Sequence, residues 1–190
     1  MKWLVLLLVM ITVAYSSTNV NFVKNQGQVD SDILYYAQLK GLNILLKSDG
    51  FYYDFYKEFE KTDKSFIKKG HVVKLDFKSS NSFNVKANAL EAKYNFIKGK
   101  DKSKWITNVP STNSILLENV YENIDLKMYF DNNMPRYDLV VKPNADPSQI
   151  KFTFKHVENL IIENNIIKGD ISVGDFISNS LYAYQVFNGE

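Results

Sequence analysis

The chain has 190 residues, with 23 Lys and Arg against 21 Asp and Glu, two His and no Cys. So even a balance sets up no strong field to draw the protein to nucleic acid or anionic lipid. The missing thiols exclude disulfides, a cysteine nucleophile and a lipid-modified N-terminal cysteine.

At the N-terminus, Lys2 precedes an apolar run over residues 3–13 that only Thr12 interrupts. A bilayer span needs about 20 apolar residues. A shorter run behind a basic residue, followed by Ala14, Tyr15 and Ser16 as a small-x-small site, has the pattern of a cleavable signal peptide. Export is therefore expected, with residues 1–16 removed and residues 17–190 forming one domain large enough to bury a core without staples. Export without cysteine favours a bacterial source and a secreted or cell-surface location. No second such segment follows, so no membrane span is expected after cleavage.

The rest is rich in β-formers, with 13 Phe and 12 Tyr. Leu42, Ile44 and Leu46 alternate with Asn43, Leu45 and Lys47, and Asp49 with Gly50 gives a two-residue hairpin signal before Phe51, Tyr53 and Phe55. Residues 57–69 break the alternation. Their Lys and Glu residues, with only Phe59, Phe66 and Ile67, leave little to bury and read as an exposed loop with a helical turn. Val73, Leu75 and Phe77 resume a half-buried strand.

Residues 124–131 and 136–142 form the best-defined pair, joined by Asn132, Asn133, Met134 and Pro135. With those four as the loop, Asp131 faces Arg136, Phe130 faces Tyr137, Met128 faces Leu139 and Leu126 faces Val141. The other side then pairs Tyr129 with Asp138 and Asp125 with Lys142. A one-residue slip would scramble both sides. Ile150, Phe152 and Phe154 mark another strand, and Asn164 with Asn165 a tight hairpin between residues 160–163 and 166–168. Many short strands between turn signals, with little helix after the signal peptide, predict an all-β, antiparallel β-sandwich.

Few residues here suit catalysis. A serine triad needs a histidine base, and His71 and His156 both read as ordinary residues at strand ends. Zinc asks for three or four ligands, and no Gly-rich phosphate loop is present, so no metal or cofactor is expected. Asp125, Asp138 and Asp146 offer carboxylates for a glycoside hydrolase pair, but the inferred register makes them a solvated ion-pair face. Asp30 with Asp32, and Asp131 with Asn132 and Asn133, offer oxygens to calcium without the EF-hand pattern, and turn chemistry accounts for both. Sugar-binding sandwiches stack rings on pyranose faces and orient hydroxyls with polar side chains. Trp105, Tyr129 and Tyr182 are the candidate rings, and Trp105, Tyr129, Asp125 and Asp138 make up the candidate binding set. Trp105 is the least core-like, and Trp105→Ala is expected to abolish glycan retention without unfolding. The expectation is a non-catalytic surface module, structural or adhesive, with a carbohydrate-active hydrolase as the alternative.

Several segments carry a resemblance: FVKNQGQ at 22–28, LYYAQ at 34–38, SDG at 48–50 and YNFIKGKDKSKWITNVP at 94–110. Beyond these come ENVYENIDLKMYF at 118–130, YDLVVKPNADPSQIKFTF at 137–154 and AYQ at 183–185. In order and spacing the chain resembles the DUF7948-like N-terminal domain of bacterial secreted proteins that carry SBBP β-propeller repeats, gliding-motility-type modules or C-terminal secretion-sorting signals. The resemblance implies location and company, with glycan or neighbouring surface-protein domains as partners, and no catalytic residue to carry over. Two positions depart from the family pattern: Asn144 and Asn123 stand where Gly is usual, and Asn is the best substitute at positive φ. Relatives continue into further strands and repeats, so the chain reads as a truncated or stand-alone member.

Overall fold

The period-two alternation becomes fifteen β-strands in the computed structural model, which describes residues 20–61, 65–179 and 182–184. The expected signal peptide, residues 1–16, lies outside the described residues. In chain order the strands are β1 (Phe22–Lys24), β2 (Ile33–Leu39), β3 (Leu42–Lys47), β4 (Gly50–Glu60) and β5 (Phe66–Phe77). Next come β6 (Asn84–Lys86), β7 (Lys93–Phe96), β8 (Ile106–Thr112), β9 (Ser114–Tyr121), β10 (Ile124–Asp131) and β11 (Met134–Val141). The last four are β12 (Phe152–Lys155), β13 (Glu158–Glu163), β14 (Ile166–Ile171) and β15 (Gly174–Ser178). Two single 3-10 turns, Lys102–Lys104 and Pro147–Gln149, are the only helical segments among the described residues.

Eight strands form a large antiparallel sheet in the order β12-β5-β4-β3-β2-β1-β8-β7; a smaller sheet runs β11-β10-β9-β6, and a third β13-β14-β15. Alternation turns Phe22, Ile44, Leu46, Phe51, Val73 and Leu75 of the large sheet toward Ile115, Leu117, Leu126 and Met128 of the small one, in one buried cluster. The expected all-β sandwich is therefore the architecture. Each such side chain contributes roughly 1.5–3 kcal/mol of burial. The chain passes between the two sheets at the corner from β8 to β9. There the buried Thr112 hydroxyl donates to Ser114 O at 2.7 Å and accepts from Ser114 N at 3.3 Å.

Three details differ from the sequence reading. Residues 57–60 and 66–69, expected in a loop with a helical turn, are strand: β4 and β5 run on as a two-stranded ribbon, pairing Glu58 with Lys68, Phe59 with Ile67 and Glu60 with Phe66. The ribbon projects beyond β3, which reaches Phe55, and beyond β12, which reaches Lys74. Its side chains stay exposed as expected. Cross-strand pairs hold it instead of burial, each worth a few tenths of a kcal/mol to about 1. Cations over rings add to them. The Lys68 ammonium sits 3.5 Å from the Tyr56 ring centre and the Lys69 ammonium 5.4 Å from that of Phe59.

The β10–β11 loop is two residues long, not four. Asn132 at φ 49° and Asn133 at φ 60° make the turn, and Asp131 pairs with Met134. Two successive positive φ values in a two-residue hairpin loop are the type I′ arrangement. Leu126 consequently faces Leu139 and Met128 faces Tyr137. The shift is by two residues, so every side chain keeps its predicted face. The expected charge pairs persist as diagonal neighbours: Arg136 to Asp131 at 3.3 Å and Lys142 to Asp125 at 2.8 Å. Pro135 is tolerated inside β11 because β11 is the sheet edge. In the β3–β4 hairpin, Ser48 and Asp49 make the turn, one residue earlier than expected. Gly50 pairs with Lys47 at φ +127°, where a Cβ would stand 3.2 Å from Leu75 O.

The third sheet is fastened by Phe176, whose ring centre lies 4.7 Å from that of Phe154, and by His71. His71 lies within β5, not at its entrance. Ser172 N–H donates to its Nδ1 at 3.1 Å, so the ring proton sits on Nε2 and is donated to His156 O at 2.5 Å. His156 itself turns the chain after β12 at φ 66°.

Candidate functional site

The candidate carboxylates and Tyr129 meet on the outward face of the small sheet, where Asp125, Lys127, Tyr129 and Asp131 of β10 lie opposite Val140, Asp138, Arg136 and Met134 of β11. At its inner end, the register between β9 and β10 shifts between Ile124 and Leu126, a bulge with Asn119 at φ 60°. Residues 118–120 of β9 stand there against Asp125 alone, so the bulge leaves two extra residues of β9 out of the ladder. Here it frees Asn119 N–H, which Asp125 Oδ1 accepts at 2.8 Å while also holding Lys142 Nζ at 2.8 Å. Asp125 is 5% exposed. Burial pushes its carboxyl up, but the bonds from Lys142 and Asn119 outweigh this and leave it below the usual carboxylate range.

The neighbouring motif residues do related work. Asn119 Oδ1 accepts Asn123 N–H at 3.3 Å, Asn123 turns the chain at φ 58°, and Tyr121 OH donates to Lys151 O at 2.6 Å and accepts Lys151 N–H at 3.1 Å. Asn144 stands at φ 65°, so both positions where Gly is usual have the backbone that Gly would supply. The FVKNQGQ segment is also organised from within. Asn25 Nδ2 donates to the carbonyls of Asp30 and Ile33, both at 2.8 Å, and its Oδ1 accepts Gly27 N–H at 2.9 Å. This loop walls a cavity of about 510 Å³ beside Tyr35 and Val85, with the Asn25 side chain committed to the loop's own backbone.

Farther along the outward face, Tyr129 is half-buried and its OH donates to Asp138 Oδ1 at 3.3 Å. Burial raises the Tyr129 pKa, with further contributions from the Asp138 carboxylate and from Tyr184. Arg136 lies directly opposite Tyr129, and the Lys127 ammonium is 5.4 Å from its ring centre. Tyr182 and Tyr184 stack with ring centres 6.0 Å apart and 26° between planes. Tyr184 was missed by sequence reasoning, although its spacing of two from Tyr182 and its place in the AYQ segment were signals.

Trp105 stands apart from this face. It follows the Lys102–Lys104 turn in the β7–β8 connection of the large sheet, where its indole N–H donates to Gly99 O at 3.2 Å and Lys102 Nζ lies 5.7 Å from its ring. The four candidates thus divide into Asp125, Tyr129 and Asp138 on one face and Trp105 on another element.

Asp146 caps the Pro147–Gln149 turn, accepting Ser148 N–H at 2.9 Å and Ser148 Oγ–H at 2.7 Å, which lower its pKa. A hydrolytic pair needs one carboxyl raised so that it can act as an acid, the reverse of the shifts at Asp125 and Asp146. Of the calcium candidates, Asp32 pairs with Lys47 at 2.7 Å and Asp131 with Arg136. Among the described residues no three His, Asp or Glu converge as metal ligands, and no helix is long and apolar enough to cross a membrane.

Comparison with known proteins gives one family. No curated protein matches the chain, and neither does any solved structure. A family model described as a domain of unknown function, DUF7948, matches residues 22–190, and the chain belongs to that family.

Proposed function

We propose that the protein is a non-catalytic exported or cell-surface module, structural or adhesive, whose outward face on the small sheet meets a glycan or a neighbouring surface domain. The observation that carries this reading is the juxtaposition of Tyr129, Asp138 and Arg136 on a sheet face, an aromatic ring set among hydrogen-bonding groups of both signs. Asp125, despite its place in the candidate set, acts there as a fastener through Lys142 and the β9 bulge. Trp105 is a separate contact for the same class of partner, read by Trp105→Ala in the same assay. Export rests on the signal pattern of residues 1–16. A bacterial source and the company of SBBP repeats or gliding-motility-type modules rest on the motif resemblance.

The test is a glycan array probed with the secreted protein, with and without calcium. Specific retention is expected and supports a lectin-like adhesion module. Silence from a demonstrably folded sample removes the glycan reading and leaves a structural or protein-docking role. N-terminal sequencing of protein recovered from the medium or cell surface tests export, with Ser17 the expected first residue.

A further inference from the structure

β13 ends the third sheet, and among the described residues no backbone bond reaches its open side. Its middle residues Leu160, Ile161 and Ile162 are 39%, 55% and 76% exposed. An open edge is a row of unpaired N–H and C=O groups ready for another strand, and proteins ordinarily guard it with a charge or a proline. The other described edges are guarded in this way: β11 by Pro135 and Arg136, β12 by Lys155, β6 by Lys86, β7 by Lys93 and β15 by Asp175. β13 instead keeps Glu158 and Glu163 at its two ends and presents consecutive apolar residues between them.

Which backbone groups face outward follows from the hairpin. Asn164 and Asn165 make a two-residue turn at φ 51° and 62°, so Glu163 and Ile166 exchange both backbone bonds, and Ile161 with Lys168 is the next such pair. Alternation then aims the N–H and C=O groups of Leu160 and Ile162 at the open side. The bulge between Glu158 and Ile161, with Asn159 at φ 48°, limits the regular open edge to residues 160–162. Pairing this edge with itself must set outward-facing residues against each other, which leaves three antiparallel registers. Facing Leu160 to Leu160 brings Glu158 against Ile162, and facing Ile162 to Ile162 brings Glu163 against Ile161. The register centred on Ile161 sets Leu160 of each copy against Ile162 of the other, so that both pairs exchange their backbone bonds and every side chain between them is apolar. Glu163 then stands opposite Asn159 and remains neutralised by Lys168 at 2.6 Å.

We propose that two copies of the protein pair antiparallel through β13, joining their third sheets into one continuous sheet with Ile161 on the two-fold axis. The edge is self-complementary in this register and in neither of the others. Because the contact is short, dimerisation should depend on concentration.

The experiment follows the purified secreted protein by sedimentation velocity over rising concentration, and cysteine variants by non-reducing electrophoresis, where the cysteine-free chain gives no background. The wild type should pass from monomer to dimer as concentration rises. Ile161→Lys sets two ammonium groups face to face and should weaken dimerisation about tenfold or more at unchanged melting temperature. The two Ile161 residues form a pair without backbone bonds, their Cα atoms about 4.5 Å apart, which a disulfide can bridge. Ile161→Cys should therefore oxidise to a covalent dimer, while Val140→Cys, at a comparably exposed position on β11, should stay monomeric. A wild type that is monomeric throughout, with Ile161→Cys linking no faster than Val140→Cys, overturns the proposal. So does a dimer that Ile161→Lys leaves intact. Linking through Ile162→Cys in place of Ile161→Cys overturns the register.

Discussion

Replacing Asp125 tests most sharply whether the motif around residues 118–130 fastens the fold. The carboxylate accepts a part-buried bond from the bulge N–H of Asn119 and one from the Lys142 ammonium, each at 2.8 Å. Asp125→Ala removes the acceptor of the Asn119 N–H, which costs about 1 kcal/mol because Asn119 is exposed and water can replace it, and removes a charge-assisted bond worth about 1.5–3 kcal/mol. The second contribution is discounted because the Lys142 side chain is 43% exposed and returns to water. A loss of about 2–3 kcal/mol is therefore expected for Asp125→Ala, and about 1–2 kcal/mol for Asp125→Asn, whose amide oxygen can still accept from Asn119. At about 2–4 °C per kcal/mol for a domain of this size, calorimetry should show Asp125→Ala melting about 4–12 °C below the wild type.

The effect also has a required pH dependence. The folded pKa of Asp125 lies below its ordinary 3.8, so its contribution is fully present above that value and is lost as pH falls through the folded pKa. The gap between wild type and Asp125→Asn should be widest near neutral pH and should narrow as pH falls below the ordinary 3.8 and through the depressed folded pKa. Asp125→Ala melting with the wild type, or a gap that stays constant into acid, would refute the fastening role.

Other perturbations follow from the same geometry. Asn25→Ala removes the acceptor for Gly27 N–H and the donor to the Asp30 and Ile33 carbonyls. It should cost about 2–4 kcal/mol by denaturant titration. Gly169→Ala would drive a Cβ into Val157 Cγ1 and to 2.8 Å from Glu158 O. The three-stranded sheet should then lose amide-exchange protection before the sandwich does. Asn123 holds a positive φ. There Asn123→Gly should be neutral or stabilising by up to about 1 kcal/mol, whereas Asn123→Val should cost about 1–2 kcal/mol in thermal melts. Asp76, held at about 2 chiefly by Lys78, with burial opposing and Lys155 assisting, adds a second carboxylate whose stabilisation persists well into acid and is lost as pH falls through about 2.

Much of the architecture was legible because burial imposes period two. Ile44, Leu46, Phe51, Tyr53, Val73 and Leu75 all point into the core as their alternation required. The β10–β11 pairing shows where such reading stops. Alternation fixes the face of Leu126 and Met128 but not their partners, and a two-residue displacement preserves every face. What decided the register was the turn, where Asn132 and Asn133 both take positive φ and Pro135 can stand in an edge strand. Residues 57–69 misled for a different reason: burial was the criterion, while the ribbon is held by cross-strand and cation–ring pairs that need none.

The geometry of the candidate site was half legible. Tyr129 and Asp138 do meet, because the face was right, but the role of Asp125 depends on a bulge at Asn119 that interrupts the period-two pattern. Asn repeatedly supplies such backbone. Nine of the eleven non-glycine residues described at positive φ are Asn, so this chain marks with Asn the turns and bulges where Gly would be sought. Trp105 drew attention by its composition and flanks, yet sequence alone does not show that it sits on a different element from Tyr129.

The central claim is a division of labour, with the motif residues fastening the sandwich and the tyrosine face meeting the ligand. It is tested most directly by measuring melting temperature and oligosaccharide affinity on one set of variants. Asn25→Ala and Asp125→Asn should lower the melting temperature and leave affinity unchanged below it, while Arg136→Ala, at an exposed position opposite Tyr129, should lower affinity at unchanged melting temperature. Loss of affinity in Asp125→Asn at full stability would contradict the claim and make that carboxylate part of the binding site.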